Sequence, residues 1–364
     1  MVRVLHLAGR ETDYQTREAL EALSRESPGA ADEVSASVLR LGEGASGVVR
    51  GYMRMRRGAD RPDLIHAWGE HALTTAAMAS NVPIVYSPTV FPDRRSIGWV
   101  RAISAYRYVN VVCPTDTMRR AFVERGVPVE RCHLVRPGVA FSKIVKRKDH
   151  ELRERLGIGP GDYVLLAAGE STRAAAHRDA AWAAVLLHVL DRKCRLLVWG
   201  EGPLADSIHR LTQRLGQPGM LVDATRTLRE RIPYERVVTA ADCALVTARG
   251  PVPTLPINVS MAVGLPHVAT VTPTVAELLE DRHTALFSTK PNAHLLARRV
   301  LDLREDTSLQ WQLSDMAGTE AFEFFSGTRF ARQWRTAYRQ IAAGEIVDVP
   351  TEAPGAGLRF HGRG

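Results

Sequence analysis

Short apolar runs alternate with amphipathic stretches along the first part of the chain. Apolar runs bounded by turn residues are typical of buried parallel strands, and apolar positions spaced three or four apart are typical of helices. The predicted strands are Val2–Ala8, Val34–Leu39, Pro62–Trp68, Pro83–Ser87, Asn110–Cys113 and Cys132–Val135. The predicted helices are Tyr14–Glu26, Gly44–Arg57, Glu70–Ser80, Ser96–Tyr108 and Asp116–Arg125. This alternation predicts a parallel sheet with right-handed crossovers.

The same alternation restarts in the second part of the chain. The strands predicted there are Tyr163–Ala168, Arg195–Val198, Cys243–Val246 and His267–Val271. The helices predicted there include Arg178–Leu190, Leu204–Leu215, Val275–Glu280, Pro291–Arg304, Ser308–Phe325 and Ser326–Ala342. In the last of these, Phe330, Trp334, Ala337 and Tyr338 fall on one face, which indicates core packing. The pattern therefore predicts a second parallel sheet of the same α/β class.

The stretch Ala240–Phe287 contains the densest set of signals. We expect the Thr254 hydroxyl to cap a helix that ends at Gly264, because a hydroxyl residue at the start and glycine past the end are typical helix boundaries. The two strands of this stretch are each followed by a loop and a helix start. In a parallel sheet these loops lie at one edge, where backbone amides bind anions.

A dense run of charges, Lys143–Arg155, separates the two predicted sheets. It has no apolar face before Leu152, so a solvated connector is the interpretation that the pattern favours. Binding of lipid or nucleic acid by Lys143–Lys148 is the alternative. The tail after Gly344 is rich in Pro and Gly, and we expect residues 345–364 to be disordered.

Composition narrows the class of protein further. The chain has 364 residues, which allows about two domains. A net charge of +8 favours anionic partners, but no zinc-finger, RNA-recognition or helix-turn-helix signature accompanies it, so no specific nucleic-acid partner is expected. The four cysteines are scattered without metal spacing and are predicted to be buried thiols. No apolar run is long enough to span a bilayer and no signal peptide is evident, so a cytoplasmic location is expected.

Six segments together carry a family resemblance. They are PDLIHAW, NVPIVYSPT, RPGVA, AADCALV, SMAVGLPHVA and VAELLEDRHTALF. They resemble the glycosyltransferases of the family-4 type, and the likeness extends over roughly residues 1–342. The resemblance implies the GT-B fold: two doubly wound, Rossmann-like domains facing a central cleft, with a C-terminal helix that crosses back to the first domain. It also implies an acceptor domain at 1–145 completed by helix 328–342, and a nucleotide-sugar donor domain at 150–327.

Several positions depart from the family pattern. The family's two glutamates, eight positions apart, are replaced by Pro251 and Val259, and its phenylalanine-glycine pair by Pro253-Thr254. Its glycine pair after the next strand is Pro273-Thr274. Proline removes a backbone amide that a phosphate could use. The chain is therefore identified as a member of the family that diverges at the donor site.

The donor-binding residues are predicted from the same comparison. The family's arginine after the first strand of this domain is Glu170, but Arg173 and Arg178 could bind the donor diphosphate from new positions, because an arginine fork suits phosphate. The alternative is that both are ordinary surface arginines. The other predicted donor-binding residues are Gly202 in the turn that resembles Gly-x-Gly-Pro, the backbone of Thr254 and Leu255 at a helix start, and Glu277.

Four residues of the first domain are predicted to lie at the acceptor side of the cleft: Gly9, Arg10, His66 and Thr89. Thr89 stands where the family has a histidine that faces the sugar. His66 is kept from the family pattern, although a lone histidine on an apolar strand is more often structural. The basic and aromatic stretch Asp93–Tyr108 is interpreted as buried aromatics beside a solvated basic face, and contact with a membrane or a lipid-linked acceptor is the alternative.

The function implied by the resemblance is transfer of a sugar from a nucleotide-diphosphate-sugar donor to an acceptor, with retention of configuration. Neither a metal nor a further cofactor is expected, and the resemblance names no catalytic side chain. The acceptor is unknown, with lipid-linked and polysaccharide acceptors both open, as is a peripheral contact with the inner membrane face. The alternatives are a catalytically inactive GT-B scaffold that binds a partner, and a GT-B enzyme of another kind such as a nucleotide-sugar epimerase.

Overall fold

The computed structural model describes residues 1–349 apart from 11, 25–33, 43–46, 48, 51–52, 54–60 and 229–231. The chain divides into two compact units. Unit 1 contains Met1–Gly138 and the helix that begins at Gly327, and unit 2 contains Val139–Ser326. No helix among the described residues has the length and apolarity that crossing a bilayer requires.

Unit 1 is built on a parallel sheet of six strands in the order β2-β1-β3-β4-β5-β6. The strands are β1 Val2–Gly9, β2 Val34–Leu41, β3 Leu64–Trp68, β4 Ile84–Ser87, β5 Val109–Cys113 and β6 Cys132–Leu134. Every residue of β3, β4 and β5 is buried. Helices cover both faces of such a sheet, so its central strands are apolar throughout.

Five helices of unit 1 flank this sheet. They are α1 Tyr14–Ser24, α2 Glu70–Ala79, α3 Arg94–Ser104, α4 Asp116–Val123 and, at the end of the chain, α14 Gly327–Ala343. Asp93 and Thr115 cap α3 and α4 through their side chains. The helix predicted at Gly44–Arg57 falls for the most part outside the described residues, as does the tail predicted to be disordered.

Helix α14 completes the core of unit 1. Its buried residues are Phe330, Trp334, Ala337, Tyr338 and Ile341, which recur at three- and four-residue spacing. They pack with Val4, Leu64 and Trp68 of the sheet and with Leu20 of α1. The predicted apolar face of the last helix is therefore confirmed, and so is its return to the first unit.

Unit 2 repeats the architecture with a parallel sheet in the order β12-β11-β10-β7-β8-β9. Its strands are β7 Tyr163–Ala168, β8 Cys194–Trp199, β9 Leu221–Asp223, β10 Cys243–Val246, β11 His267–Thr270 and β12 Ala285–Ser288. Its helices are α5 His150–Arg155, α6 His177–Leu190, α7 Ala205–Arg214, α8 Ala224–Thr227, α9 Tyr234–Val238, α10 Leu255–Val263, α11 Pro273–Ala276, α12 Ala293–Glu305 and α13 Thr307–Phe325. The prediction of two doubly wound, Rossmann-like sheets is confirmed.

The predicted buried thiols are also confirmed. The four cysteines, at positions 113, 132, 194 and 243, are buried thiols outside any disulfide, two in each unit. Burial raises the pKa of Cys132 to about 11 and that of Cys194 to about 12. Thiols held in their neutral form behave as small apolar side chains, so these residues contribute to packing.

Most side chains of the charge run Lys143–Arg155 are exposed, as predicted for a solvated connector, but its last part docks onto unit 2. Arg153 is buried, and its guanidinium donates to the carbonyls of Ala240 and Asp162 at 3.0 and 2.6 Å. It also pairs with Asp242 at 3.2 Å. Leu152 is fully buried beside it. A charge run that contains one arginine with enough carbonyl partners can pack against a domain, and composition alone does not show this.

Two helix starts in unit 2 also differ from prediction. Helix α10 begins at Leu255, but the Thr254 side chain does not cap it. Thr254 has helical backbone angles of φ −94° and ψ −23°, and Pro256 at the second position has no amide to donate. The next helix, α11, starts earlier than predicted, at Pro273, and ends at Ala276. The Thr272 hydroxyl caps it by accepting from the Val275 amide at 3.2 Å.

Candidate functional site

The candidate site lies at the carboxyl edge of the unit 2 sheet. Strands β7, β8 and β10 are parallel, so the loops that follow Ala168, Trp199 and Val246 leave the sheet at the same edge. Each loop leads to a helix whose first turn lies at this edge. Backbone amides and short side chains here are positioned to meet a ligand.

The loops after β7 and β8 are joined by backbone hydrogen bonds. The Ser171 amide donates to the Glu201 carbonyl, and the Leu204 amide donates to the Ser171 carbonyl, both at 2.9 Å. Gly202 has φ +148°, and a Cβ added to it would lie 2.5 Å from the Ser171 amide nitrogen. Glycine is therefore required at 202 for the two loops to approach, which is a structural reason independent of any ligand.

The end of the β7 loop is fixed by two buried side chains that sequence reasoning missed. The Thr247 hydroxyl lies 3.0 Å from the Ala175 carbonyl and 3.1 Å from the Ala176 carbonyl, and it holds Ala176 in a left-handed conformation with φ +50°. The His177 ring bonds the Ser171 hydroxyl at 3.0 Å. Burial lowers the pKa of His177 to about 4, against an opposing hydrogen bond to the Ala168 carbonyl, so the ring is neutral near pH 7. These bonds are tertiary, so the sequence contains no local signal for them.

Arg173 and Arg178 lie on this fixed backbone, and both side chains are exposed. Neither has a hydrogen-bond or ion-pair partner within the described chain. Arg249 at the same edge differs, since it pairs with Asp179 at 2.6 Å. A cation in the first turn of a helix opposes the helix dipole, so Arg178 gains nothing for helix stability from its position. The two predicted donor-binding arginines are thus available to a ligand.

A small cavity of about 40 Å³ opens beside this loop. Its walls are mainly apolar and include Val252 and Pro253. Its polar lining groups are already bonded inside the protein: the Tyr234 hydroxyl donates to the Pro256 carbonyl at 3.2 Å, and the Ser260 hydroxyl bonds His267 at 2.7 Å. The cavity therefore offers little to the hydroxyls of a ligand.

The other predicted donor residues lie at the same edge. Thr254 and Leu255 are buried at the start of α10, which follows β10. Glu277 is half-buried directly after α11, which follows the neighbouring strand β11. Pro256 removes one of the first-turn amides of α10, so fewer backbone donors are available there than at an ordinary helix start.

Three of the four residues predicted for the acceptor side lie at the carboxyl edge of the unit 1 sheet. Gly9 ends β1, and its carbonyl accepts from the Arg40 guanidinium at 3.1 Å. Arg10 follows it and is exposed. Thr89 is half-buried after β4, next to Gly69, where an added Cβ would lie 3.3 Å from its hydroxyl.

His66 does not belong to this surface. It is fully buried in β3, with one ring nitrogen bonded to the Tyr338 hydroxyl at 2.6 Å and the other to the Ser87 hydroxyl at 2.9 Å. Burial lowers the pKa of His66 well below its ordinary value, and the neighbouring His6 lowers it further. Both ring nitrogens form hydrogen bonds inside the core. We therefore interpret His66 as a structural residue and no longer assign it to the acceptor side.

The stretch Asp93–Tyr108 also differs from the interpretation favoured for it. Trp99 is 45% exposed and Tyr106 is 63% exposed, so these aromatics are not buried behind a basic face. The Trp99 indole, which projects from α3, donates to the Thr74 hydroxyl of α2 at 3.0 Å, and this bond fixes the ring against α2. Arg94 and Arg95 are exposed in the first turn of α3. The stretch is thus a mixed basic and aromatic surface.

Comparison with known families identifies both parts of the chain. The sequence model of Glycosyltransferase Family 4 matches residues 4–143. The sequence model of Glycosyl transferases group 1 matches residues 163–306. A search of curated protein sequences returned no match.

Solved structures share the fold over nearly the whole chain. Anabaena HepE, determined in complex with UDP and glucose, is 17% identical with a TM-score of 0.76, over 92% of this chain and 98% of that one. A glycosyltransferase from Rickettsia africae is 11% identical with a TM-score of 0.76, over 93% and 98%. The sucrose-phosphate synthase of Thermosynechococcus elongatus is 15% identical with a TM-score of 0.72, over 95% and 100%. At these identities the likeness establishes the fold.

Proposed function

Because the chain belongs to the family-4-type glycosyltransferases with the GT-B fold, we propose that it moves a sugar from a nucleotide-diphosphate-sugar donor to an acceptor. The observation that supports this most directly is the pair Arg173 and Arg178 at the carboxyl edge of unit 2. Both are exposed without a partner in the described chain, Arg173 on the β7 loop whose backbone is fixed and Arg178 in the first turn of the helix that follows it. Guanidinium groups held this way suit a diphosphate.

The reaction that we propose retains configuration and uses no metal ion. The bond between the anomeric carbon and the diphosphate breaks, a bond to an acceptor hydroxyl oxygen forms on the same face, and the hydroxyl proton leaves with the diphosphate. Arg173 and Arg178 neutralise the charge that develops on the departing diphosphate, which is where fixed cations lower the barrier most. The amides at the start of α10 and the Glu277 carboxylate orient the donor.

The acceptor side of the proposal uses unit 1. Arg10 and Thr89 lie at the carboxyl edge of that sheet and present a cation and a hydroxyl for binding an acceptor. The exposed Trp99 and Tyr106, with Arg94 and Arg95 nearby, suit the interface of an anionic membrane, where basic and aromatic side chains accumulate. This surface favours a lipid-linked acceptor over a soluble polysaccharide, and a peripheral contact with the membrane.

Calorimetric titration with UDP, GDP and ADP tests the donor site. We expect one nucleotide to bind, and Arg178→Ala or Arg173→Ala to weaken it by about tenfold to a hundredfold, the ratio for a lost charge-assisted hydrogen bond. Arg214→Ala is the matched control, because Arg214 is exposed in the last turn of α7, at the far end of that helix from the β8 loop. Equal binding in all variants would remove both arginines from the site.

A second candidate function is a non-catalytic GT-B scaffold that binds a partner. It is favoured by Pro251, Pro253 and Pro256, which remove amides around the start of α10, and by the small apolar cavity beside them. If none of the three nucleotides binds the folded protein at millimolar concentration, the non-catalytic scaffold is favoured over the glycosyltransferase. Binding of any one of them, sensitive to Arg178→Ala, excludes a lost donor site.

A further inference from the structure

Unit 2 contains a second and larger cavity, of about 570 Å³, that shares no lining residue with the cavity at the carboxyl edge. One wall is the segment 143–151, which follows the boundary between the two units, and the other is formed by helix α9 with its flanking residues. Its volume falls within the range typical of small-molecule sites, which is about 300–1,000 Å³. Neither the family resemblance nor the proposed reaction assigns a role to it.

The walls of this cavity are held in place by ion pairs. Asp149 accepts from the Arg236 guanidinium at 2.7 Å and from the Leu152 amide at 2.8 Å, so one carboxylate joins the two walls and caps α5. Lys148 pairs with Asp242, the residue before β10. These contacts fix the cavity without a ligand, which lowers the ordering cost of binding.

Some of the charged side chains that line the cavity already have ion-pair partners, and others do not. Three carboxylates line the cavity: Asp149 and Glu151, which face Arg236 at 2.7 and 3.5 Å, and Glu235, which is buried and has a partner within the protein. The Arg236 guanidinium lowers the pKa of Asp149 below its ordinary value, so this carboxylate is ionised and engaged. Arg147 lines the same cavity, is exposed, and has no hydrogen-bond or ion-pair partner within the described chain. The cation that remains available to a ligand is therefore Arg147.

Further basic groups surround Arg147. Lys143 and Lys148 belong to the same wall, and Arg236 stands on the opposite wall. The buried Thr239, at the end of α9, closes the cavity, and its hydroxyl donates to the Arg236 carbonyl at 2.7 Å. A small anion that enters the cavity would contact the unpaired guanidinium of Arg147. The two lysines lie on the same wall, and the paired guanidinium of Arg236 lies on the opposite wall. Guanidinium and ammonium groups placed around one space select phosphate oxygens.

We propose that this cavity is a second binding site, separate from the donor site, for a small metabolite that carries a phosphate group. Arg147 forms the contact with the phosphate, and Arg236, which stays paired with Asp149 and Glu151, lies on the facing wall. The site lies on the segment that follows the unit boundary. Its occupancy therefore further stabilises the segment 143–151 against the wall that α9 forms.

Inorganic pyrophosphate is the probe, used on the full chain that carries Arg173→Ala and Arg178→Ala so that the donor site does not contribute. We expect pyrophosphate to bind with one site, and the further substitution Arg147→Ala to weaken binding by about tenfold to a hundredfold. Arg147 is exposed and unpartnered, so this substitution leaves folding intact. Arg214→Ala in the same background is the control and should leave the affinity unchanged.

Hydrogen exchange supplies a second readout. Pyrophosphate should slow exchange of the amides in 143–151 in the parent and should lose this effect in Arg147→Glu. Absence of binding to the parent, or binding that Arg147→Ala and Arg147→Glu leave unchanged, overturns the proposal. Because the donor arginines are already removed from the parent, either result leaves the proposed glycosyltransferase function untouched.

Discussion

Polar side chains are used differently in two regions of the molecule. One is the buried histidine cluster of unit 1, formed by His6, His66, Trp68, Trp334 and Tyr338, and the other is the carboxyl edge of unit 2. In unit 1, His66 stacks on Trp68 with ring centroids 4.1 Å apart and bonds Tyr338 and Ser87, so its hydrogen-bonding capacity is used inside the core. In unit 2, the backbone around Arg173 and Arg178 is fixed by buried bonds while the two guanidinium groups stay exposed.

This difference separates structural polar residues from ligand-binding candidates. A buried polar group with all its partners inside the protein stabilises the fold, and its removal leaves those partners unsatisfied. An exposed charge on a rigid backbone contributes little to stability. Substitutions in the cluster should therefore change the free energy of unfolding, and substitutions of the two arginines should change ligand binding.

The largest effect is expected for Trp334→Ala. The Trp334 ring lies 4.5 Å from the His66 ring and 5.2 Å from the Tyr338 ring, centroid to centroid, and is almost fully buried. Truncating a buried tryptophan removes apolar area and leaves a cavity, which costs about 3–5 kcal/mol. Urea denaturation followed by circular dichroism measures the change in the free energy of unfolding. Arg332→Ala, on the exposed face of the same helix, should change it by less than about 0.5 kcal/mol. A loss below about 1 kcal/mol for Trp334→Ala would mean that α14 does not hold the cluster.

The pH dependence of stability is expected to be the next largest effect. Burial lowers the pKa of His6 to about 3 and that of His66 well below its ordinary value, whereas both titrate near 6.5 in the unfolded chain. Below pH 6.5 the unfolded state therefore binds protons that the folded state does not, and stability falls as the pH falls. The slope rises as the pH falls below 6.5 and approaches about 1.4 kcal/mol per pH unit for each histidine near pH 5.

Urea denaturation at intervals between pH 7 and pH 5 measures this slope above the range where carboxylates titrate. His66→Gln should reduce the slope near pH 5 by the contribution of one histidine, about 1.4 kcal/mol per pH unit. His71→Gln is the control, since His71 is exposed, and it should leave the slope unchanged. If the free energy of unfolding is constant between pH 7 and pH 5, burial does not lower the pKa of the histidines in the folded protein.

A smaller loss is expected for Gly202→Ala at the carboxyl edge of unit 2. The added methyl group would stand 2.5 Å from the Ser171 amide nitrogen, so the β7 and β8 loops must separate, at a cost of about 1–3 kcal/mol. Thermal denaturation measures it, and Gly219→Ala, where an added Cβ meets nothing within 4 Å, is the control. The same variant should weaken nucleotide binding, because the loop that carries Arg173 is displaced. Unchanged thermal stability would show that the loops can part without cost.

The smallest change in stability is expected for the double variant Arg173→Ala and Arg178→Ala. Both side chains are exposed without partners in the described chain, so the free energy of unfolding should shift by less than about 0.5 kcal/mol. Urea denaturation of the double variant checks this beside the loss of nucleotide binding. A destabilisation above about 1 kcal/mol would show that the arginines stabilise the edge, and the contrast with the histidine cluster would fail.

Local patterns were sufficient to predict the packing face of the last helix and ten of the twelve described strands, but not the short strands β9 and β12. Leu64–Trp68 is an apolar run and is buried throughout, and Phe330, Trp334, Ala337 and Tyr338 fall on one face by spacing alone. Such features depend on neighbours within a few residues, which a sequence displays directly. The alternation of strand and helix, which occurs twice along the chain, likewise predicts two parallel sheets.

The remaining features depend on contacts between distant residues. The hydrogen bond between Tyr338 and His66 joins residues 272 positions apart, and Thr247 fixes Ala176 from the loop after β10. Arg153 appears in the sequence as one more charge in a basic run, yet it is buried by carbonyls from two other segments. The exposure of Trp99 is likewise set by what the fold leaves uncovered. The spacing of apolar and polar residues along the chain does not show which distant residues will contact one another.

The return of α14 to unit 1 sets the order in which the protein can mature on the ribosome. The sheet of unit 1 is synthesised first, but the helix that covers His66 and Trp68 is synthesised after the whole of unit 2. Unit 2 can therefore finish folding on the nascent chain before unit 1 does, because α14 has not yet been synthesised. A stop codon just after Ser326 would release a chain whose second half is complete and whose first half is not.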